Sequence, residues 1–307
     1  MSDVILETKN LTKKFKNVCA LDNVSVTLHK NHIYGFIGEN GAGKSTFMKI
    51  VSGLAFPTAG EYSLFDETEP KKIEKKRKLV GTIIEEPALY PKYTVWRNVE
   101  LQRIIVGNPD KSITDKVIEM VGLSDAKDRK AKYLSMGRKQ RLGIAIAMVG
   151  NPQLLILDEP INGLDPKNIV ALRNMLKKIN EENECTIFVS SHILSELYLL
   201  ATDFIFIHHG RIIETTTHEE LEEKCSQYIV VRDDNIPETV AILEKNFPDV
   251  SYKVTADDTV KIFGKPDMKA ELSKHLMEAG IVISELSEKE LSLEDYFMTL
   301  TGGVTNV

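Results

Sequence analysis

The stretch Gly38-Glu39-Asn40-Gly41-Ala42-Gly43-Lys44-Ser45-Thr46 decides the fold. It has the spacing G-x-x-x-x-G-K-[ST]. A compact β-rich run, Ile33 to Ile37, precedes it and a helical stretch, Ser45 to Ser52, follows, as that spacing requires. Glycines let a backbone curl until successive N–H groups converge on phosphate oxygens. The helix that begins here adds its dipole to the same anion site. Lys44 can bridge a β- and a γ-phosphate, and the Ser45 hydroxyl can ligate Mg²⁺. A glycine-rich turn that matched by chance would not be framed by a strand and a helix. Gly38 to Thr46 are therefore candidate contacts to a nucleoside triphosphate.

A second informative run is LLILDEP, Leu154 to Pro160. Four apolar residues in a row mark a strand covered on both faces. Such a strand delivers Asp158 to the edge where a parallel sheet opens its ligand crevice. There Asp158 can hold Mg²⁺ through water, and Glu159 can polarise an attacking water as general base. An Asp-Glu pair by itself is more often a solvated turn; the apolar run before it and the phosphate loop upstream favour chemistry. TIFV (186–189) and FIFI (204–207) repeat the buried-strand pattern. Pro166–Asn180 and His192–Leu200 have helical spacing, and residues 4–9 and 23–29 alternate with period two. This order of elements implies an α/β core with a mixed sheet.

Composition sets the frame. A chain of 307 residues is long enough for two domains. Its 39 Lys+Arg against 45 Asp+Glu leave a net charge of −6, which argues against a dedicated nucleic-acid binder. Cys19, Cys185 and Cys225 are scattered, with no CxxC pair, and read as reduced thiols. MSDVILETKN has acidic residues where a secretory signal needs a basic flank, and no apolar run is long enough to span a bilayer. The segment KKIEKKRK (71–78) carries six basic residues and reads as a solvated helix face or loop.

The texture changes at TTTHEELEEKC (215–225), a polar helix or linker. Beyond it lie YIVVRDD, a helical PETVAILEKNF, the strand candidates SYKVTA and TVKIFG, a helical MKAELSKHLMEAG, the strand IVISEL and a last helix from about Leu291 to Leu300. That βαββαβ order suits a small ferredoxin-like α+β domain. It holds no glycine-rich loop and no clustered metal ligands. The chain is accordingly divided into a nucleotide-binding domain, 1–222, and a regulatory or accessory domain, 223–307.

Between the phosphate loop and Asp158 lies Leu134-Ser135-Met136-Gly137-Arg138-Lys139-Gln140-Arg141, which alone reads as a helix start capped by Ser135. Bracketed by those two elements it resembles the signature of ABC ATPases, usually Leu-Ser-Gly-Gly-Gln. The resemblance covers roughly residues 3–220 and keeps the family's motif order: phosphate loop, the loop at Glu85-Glu86-Pro87, signature, Asp158-Glu159, the D-loop Asn162-Gly163-Leu164-Asp165, and His192 in SSHILSE. It implies a P-loop cassette with a helical subdomain. Phe15 would stack on adenine, and His192 would contact the γ-phosphate and the catalytic water. Two copies would form a homodimer head to tail, Ser135 and Gly137 of one completing the ATP site of the other. Hydrolysis of Mg²⁺-ATP would drive a separate integral-membrane permease from the cytoplasmic face of the membrane.

Two departures mark this chain. Met136 stands where glycine is usual. Glu85 stands where most of the family carry glutamine, in the loop that senses Mg²⁺ and the transporter; a carboxylate there is a hard oxygen ligand. Glu85, the LSMGxKQR pattern and the closing LSLEDYFMTLTGG resemble the bacitracin and lantibiotic-type peptide resistance exporters, so export of a peptide antibiotic or other amphipathic compound is implied. Glu85→Gln is expected to shift the Mg²⁺ and pH dependence of hydrolysis. Tyr90, Tyr93 and Trp96 line either a groove for a permease helix or the core of the helical part. The rival reading is a soluble ABC ATPase acting on nucleic acid or ribosomes; a single phosphate loop, no sustained heptads and the acidic balance weigh against it.

Overall fold

Two strands, β1 (Val4–Phe15) and β2 (Val18–His29), open the chain as an antiparallel hairpin. Leu6, Leu11, Leu21, Val24 and Leu28 point inward and are fully buried. The structure, a computed structural model, describes residues 3–225, 227–248, 250–255, 259–263, 268–290 and 293–301. The chain divides into two units, Met1–His218 and Glu219–Val307.

In the first unit β3 (Ile33–Ile37) is buried along its whole length and leads through the phosphate loop into α1 (Lys44–Val51). β4 (Ala59–Leu64) joins the hairpin in a sheet of order β2-β1-β4. α2 (Pro70–Lys76) carries the basic segment, burying Ile73 while Lys71, Lys72 and Lys75 face solvent, so the solvated-face expectation holds. β5 (Val80–Ile83) precedes the helical part, made of α3 (Val95–Val106), α4 (Ile113–Met120) and α5 (Met136–Met148). The chain then runs through β6 (Leu154–Leu157), α6 (Pro166–Asn183), β7 (Thr186–Ser191), α7 (Leu194–Tyr198), β8 (Asp203–His208) and β9 (Arg211–Thr217). Strand order in the main sheet is β5-β6-β7-β3-β8-β9, parallel except for β9.

Helix α1 is held between the two sheets. Phe47, Met48, Ile50 and Val51 are fully buried in one apolar cluster that takes Leu6, Val24 and Leu28 from the hairpin and Phe36, Leu154 and Phe188 from the main sheet. Each such side chain contributes about 1.5–3 kcal/mol on leaving water. The Phe36, Phe47 and Phe188 rings lie 5.1–5.8 Å apart, which fixes the rotation of α1 and hence the direction of its first turn.

The helical part carries a buried ion pair. Arg103 Nε and one terminal nitrogen each donate to Glu100, 2.9 and 2.7 Å away, and Thr114 adds a third bond at 2.8 Å. Arg103 foremost, with Thr114 helping, holds the Glu100 carboxyl down at about 2. A pKa lowered by folding stabilises the fold above the unfolded-state value, and that contribution is lost as pH falls from about 4.5 toward 2. Glu100→Gln is therefore expected to lower the melting temperature at pH 7, with the gap from the parent closing over that acid window. A gap that stayed constant with pH would assign the effect to packing.

The second unit begins in α8 (His218–Lys224) and continues as β10 (Gln227–Asp233), α9 (Ile236–Asn246), β11 (Ser251–Val254), β12 (Thr259–Phe263), α10 (Met268–Glu278), β13 (Ile283–Glu290) and α11 (Leu293–Leu300). Its sheet has the order β11-β12-β10-β13 with every pair antiparallel, the ferredoxin-like topology expected. Ile229, Val231, Val260 and Ile262 of the sheet pack with Leu243 of α9 and Leu272 and Leu276 of α10. Of LSLEDYFMTLTGG, residues 291–292 and 302–303 lie outside the described residues.

Candidate functional site

Strand order builds the site. Ile37 ends β3 beside Ser191 of β7, Leu157 of β6 lies beside Val189, and Ile83 of β5 beside Leu157. Four neighbouring parallel strands therefore stop at one edge, the edge at which open α/β sheets bind ligands. Beyond that edge come the phosphate loop, Asp158–Glu159, Ser190–His192 and the loop at Glu85. The sequence positions are up to 154 residues apart; the hydrogen-bonded ladder makes them neighbours.

The loop from Gly38 to Gly43 turns through left-handed backbone. Gly43 caps α1 at φ 112°, and a Cβ there would stand 2.5 Å from the Ala20 carbonyl oxygen, so no other residue fits. The first N–H groups of α1 have no partner within the helix and are free to face an anion. Lys44 is buried, and its ammonium donates to the carbonyls of Gly38 at 2.6 Å and Glu39 at 3.2 Å. Glu39, Asn40 and Gly41 form the exposed rim of the loop, Ala42 is buried beneath it, and Ser45 and Thr46 are half-buried in the first turn of α1.

Glu159 stands between Lys44 and His192. Its Oε1 lies 3.2 Å from Lys44 Nζ, an ion pair by distance whose geometry makes no hydrogen bond, and Oε2 is 2.9 Å from His192 Nδ1. The backbone is left-handed at φ 49°, and the Glu159 N–H donates to Ser190 Oγ at 2.9 Å. Ser190 Oγ in turn donates to Asp158 Oδ1 at 2.7 Å. One fully buried hydroxyl thus orients both acids. Ser190 was not singled out from the sequence; a polar residue ending an apolar strand next to His192 was the available signal.

An open cleft of about 580 Å³ is lined by Ser45, Glu85, Met136, Gln140, Asp158 and Glu159, among others. Ser45 and Asp158 present oxygen donors, the type a hard divalent cation takes when phosphates fill the remaining positions. No group of three or more His, Cys, Asp or Glu able to hold an ion exists among the described residues. The donor set fits Mg²⁺ arriving with a nucleotide better than a metal held by protein alone.

Glu85 has left-handed backbone, φ 64°, and its Oε1 is 2.7 Å from Lys49 Nζ. Lys49 pulls the Glu85 carboxyl below the usual carboxylate range, first by its hydrogen bond and then by its charge. Lys49 is a further residue the sequence reading missed.

The signature and the D-loop are packed on each other within one chain. Ser135 caps α5, accepting from the Arg138 N–H at 3.4 Å. Met136 is 58% exposed, its thioether lying over Gly163, so the side chain that departs from the usual glycine has room on the D-loop. Gly137 lies so close to α6 that a Cβ would stand 2.6 Å from Asn168 Cγ. Asn168 also binds Asp165: its N–H donates to Oδ1 at 2.9 Å and its side-chain amide to Oδ2 at 2.7 Å. These bonds hold the Asp165 carboxyl below its usual range and make it the cap of α6. Asn168 ties both motifs together, a role with no sequence signal.

Phe15 ends β1, half exposed, with the Lys13 ammonium 4.9 Å above its ring. Tyr90 and Tyr93 are exposed and Trp96 half-buried. Asn98, buried beneath them, accepts from the Tyr90 N–H at 2.8 Å and donates to the Thr94 carbonyl at 2.8 Å, fixing that loop. Leu89, Tyr90, Asn98 and Ile105 line a second groove of about 370 Å³. No helix among the described residues is long and apolar enough to cross a membrane.

The family model described as ABC transporter matches residues 21–162. The bacitracin transport ATP-binding protein BcrA of Enterococcus faecalis is 38% identical over 303 residues, 98% of this chain and 97% of the relative. The lantibiotic transport ATP-binding protein SrtF of Streptococcus pyogenes is 41% identical over 230 residues, 74% of this chain and 98% of the relative. Among solved structures, the ATP-binding cassette MJ0796, as a dimer in a post-hydrolysis state bound to ADP and Pi, superposes with a TM-score of 0.62 at 27% identity. That match covers 70% of this chain and 99% of that one.

Proposed function

The chain belongs to the ABC transporter family of ATP-binding proteins, and from that premise we propose that this ATPase powers export of a peptide antibiotic or another amphipathic compound through a separate permease. The observation that carries the catalytic half is the Glu159 carboxylate held between Lys44 and His192 at the end of four parallel strands. Lys44 and the amides of the Gly38–Thr46 loop would bind the phosphates, and Ser45 and Asp158 would hold Mg²⁺, which would supply charge neutralisation on the phosphates. Glu85, on the facing loop, would offer a carboxylate oxygen to the same ion.

Glu159 accepts a proton from the attacking water as the water oxygen bonds to the γ-phosphorus and the bond to the β-γ bridging oxygen breaks, giving ADP and phosphate. His192, bonded to Glu159, orients that carboxylate and meets the γ-phosphate. Phe15 offers its exposed ring to adenine. A second copy of the chain supplies Ser135 and Gly137, whose hydroxyl and helix N–H groups complete the γ-phosphate's hydrogen bonds. Asp165 stands at the same interface. ATP is then part of the homodimer contact, and its hydrolysis opens that contact.

The groove at Leu89, Tyr90 and Ile105, where Asn98 and Gln102 add polar groups to an otherwise apolar lining, is the surface on which a permease helix would seat, which would hold the protein at the cytoplasmic face of the membrane. The ferredoxin-like unit acts as an accessory or regulatory domain. Tagged protein drawn from detergent-solubilised membranes of its own cells is expected to bring a multi-span membrane protein with it. Cells lacking the gene are expected to become several-fold more sensitive to cyclic or lanthionine-containing peptides. Recovery of ribosomes or nucleic acid alone, with unchanged sensitivity, would overturn the exporter reading.

A further inference from the structure

We propose that Lys49 is a positioning residue whose ion pair holds the Glu85 carboxylate against α1, so that Glu85 reaches a cation in the cleft only when this pair opens. The inference rests on the reading of Glu85 as a metal ligand and adds what controls it. Lys49 follows Ser45 by four residues and therefore lies one turn further along the same face of α1. The helix that presents a hydroxyl to the metal thus also presents the ammonium that competes for the facing carboxylate.

Three features make the pair a latch. The contact is short, 2.7 Å from Nζ to Oε1. Glu85 sits on a left-handed backbone, φ 64°, and this fixes the direction in which its side chain leaves the loop toward Lys49. Both partners keep contact with water, Lys49 at 37% and Glu85 at 68% exposure. Exposed pairs of this kind are weak and exchange partners easily. Glu85 shares its cleft with three other acids, Glu86, Asp158 and Glu159, and with the cation Lys139; Lys44 already faces Glu159, so an unpaired Glu85 would add one more uncompensated negative charge facing bound phosphates. Lys49 cancels that charge until a divalent ion can. A glutamine at position 85 has no charge to cancel; the latch is a consequence of the carboxylate.

The test is a Mg²⁺ titration of fluorescent ATP-analogue binding to the full chain, which reads binding and not turnover. Glu85→Gln is expected to raise the half-saturating Mg²⁺ concentration, and Lys49→Met to lower it by about two- to fivefold, the range an exposed ion pair supplies. Lys49→Arg, which keeps the pair, should behave like the parent. The double variant should match Glu85→Gln alone, because Lys49 acts only through Glu85. A Lys49→Met shift of equal size with glutamine at position 85, or no shift at all, overturns the latch while leaving Glu85 as a ligand. No effect of Glu85→Gln removes the ligand reading, and the latch with it.

Discussion

Glu159→Gln is expected to reduce ATP turnover by about 10²–10⁴-fold, the contribution of a positioned general base, while ATP-driven dimerisation survives. The geometry allows the two effects to separate. The backbone at 159 is anchored by its N–H to Ser190 Oγ, and Ser190 is anchored by Asp158, so nothing that places residue 159 depends on its own carboxylate. The amide has the carboxylate's shape and can still contact Lys44 and His192. It cannot take a proton from water. Phosphate binding, which is the business of Lys44, Ser45 and the loop amides, is untouched. Size-exclusion chromatography in Mg²⁺-ATP should therefore show a stable dimer of the variant, where the parent returns to monomer as it hydrolyses. Full hydrolysis by Glu159→Gln would place the base elsewhere. Lost dimerisation would mean that residue 159 is part of the nucleotide clamp itself.

How much of this site could be read before folding depends on how each part is specified. The phosphate loop was legible because its geometry is a backbone requirement: a left-handed position pressed on the Ala20 carbonyl admits glycine and nothing else. Buried strands such as Leu154–Leu157 and Phe204–Ile207 were legible because burial on both faces removes every polar residue. The hairpin read shorter than it is. Register shifts between Thr8 and Leu11 and again between Leu11 and Lys13 break the period-two pattern, so residues beyond Lys9 no longer alternate as a strand should. The helix expected over His192–Leu200 is one short turn-and-a-half, Leu194–Tyr198. Its start is displaced because Ser191 Oγ accepts the Ile193 N–H and draws the chain into a bend first.

What the sequence could not carry is the pairing of residues across the fold. Lys49 with Glu85, Ser190 with Asp158 and Asn168 with Gly137 join different elements, and each contact exists only once the strands are ordered and α1 is wedged between the sheets. For Lys49 and Asn168 residue identity offered no hint, because a lysine on a helix face and an asparagine in the first turn of a helix are unremarked in ordinary surroundings; Ser190 offered only its place at the end of an apolar strand. The positions that sequence reading named were thus those where one residue type is demanded by its own backbone or its chemistry. The residues it missed were those that set the direction of the named ones. Asp165 shows the difference: the motif named it, whereas the two bonds from Asn168 set the direction of its carboxylate.

Lys44→Met is expected to weaken ATP binding by about 10²–10³-fold, since two charge-assisted hydrogen bonds to phosphate oxygens at roughly 1.5–2 kcal/mol each are lost. Methionine keeps the stem's bulk, so the loop is not left with a hole. Without nucleotide the same change has a second effect. The Gly38 carbonyl loses a 2.6 Å donor and Glu159 Oε1 loses the ammonium 3.2 Å away, in a site where the lysine is almost wholly buried. Buried polar groups left unmatched cost about 1–3 kcal/mol each, so the nucleotide-free variant should also melt earlier. Combining it with Glu159→Gln distinguishes these two consequences. A neutral amide at 159 needs no cation, so the stability loss of Lys44→Met should shrink in that background, whereas the affinity loss should stay as large. Calorimetric melting and equilibrium binding on the four proteins measure both quantities. If Lys44→Met bound ATP nearly as well as the parent, the lysine would be serving Glu159 and the loop carbonyls alone. If the stability loss were the same in both backgrounds, the Lys44–Glu159 contact would carry no coupling, and the carboxylate's orientation would have to come from His192 and the backbone bond to Ser190.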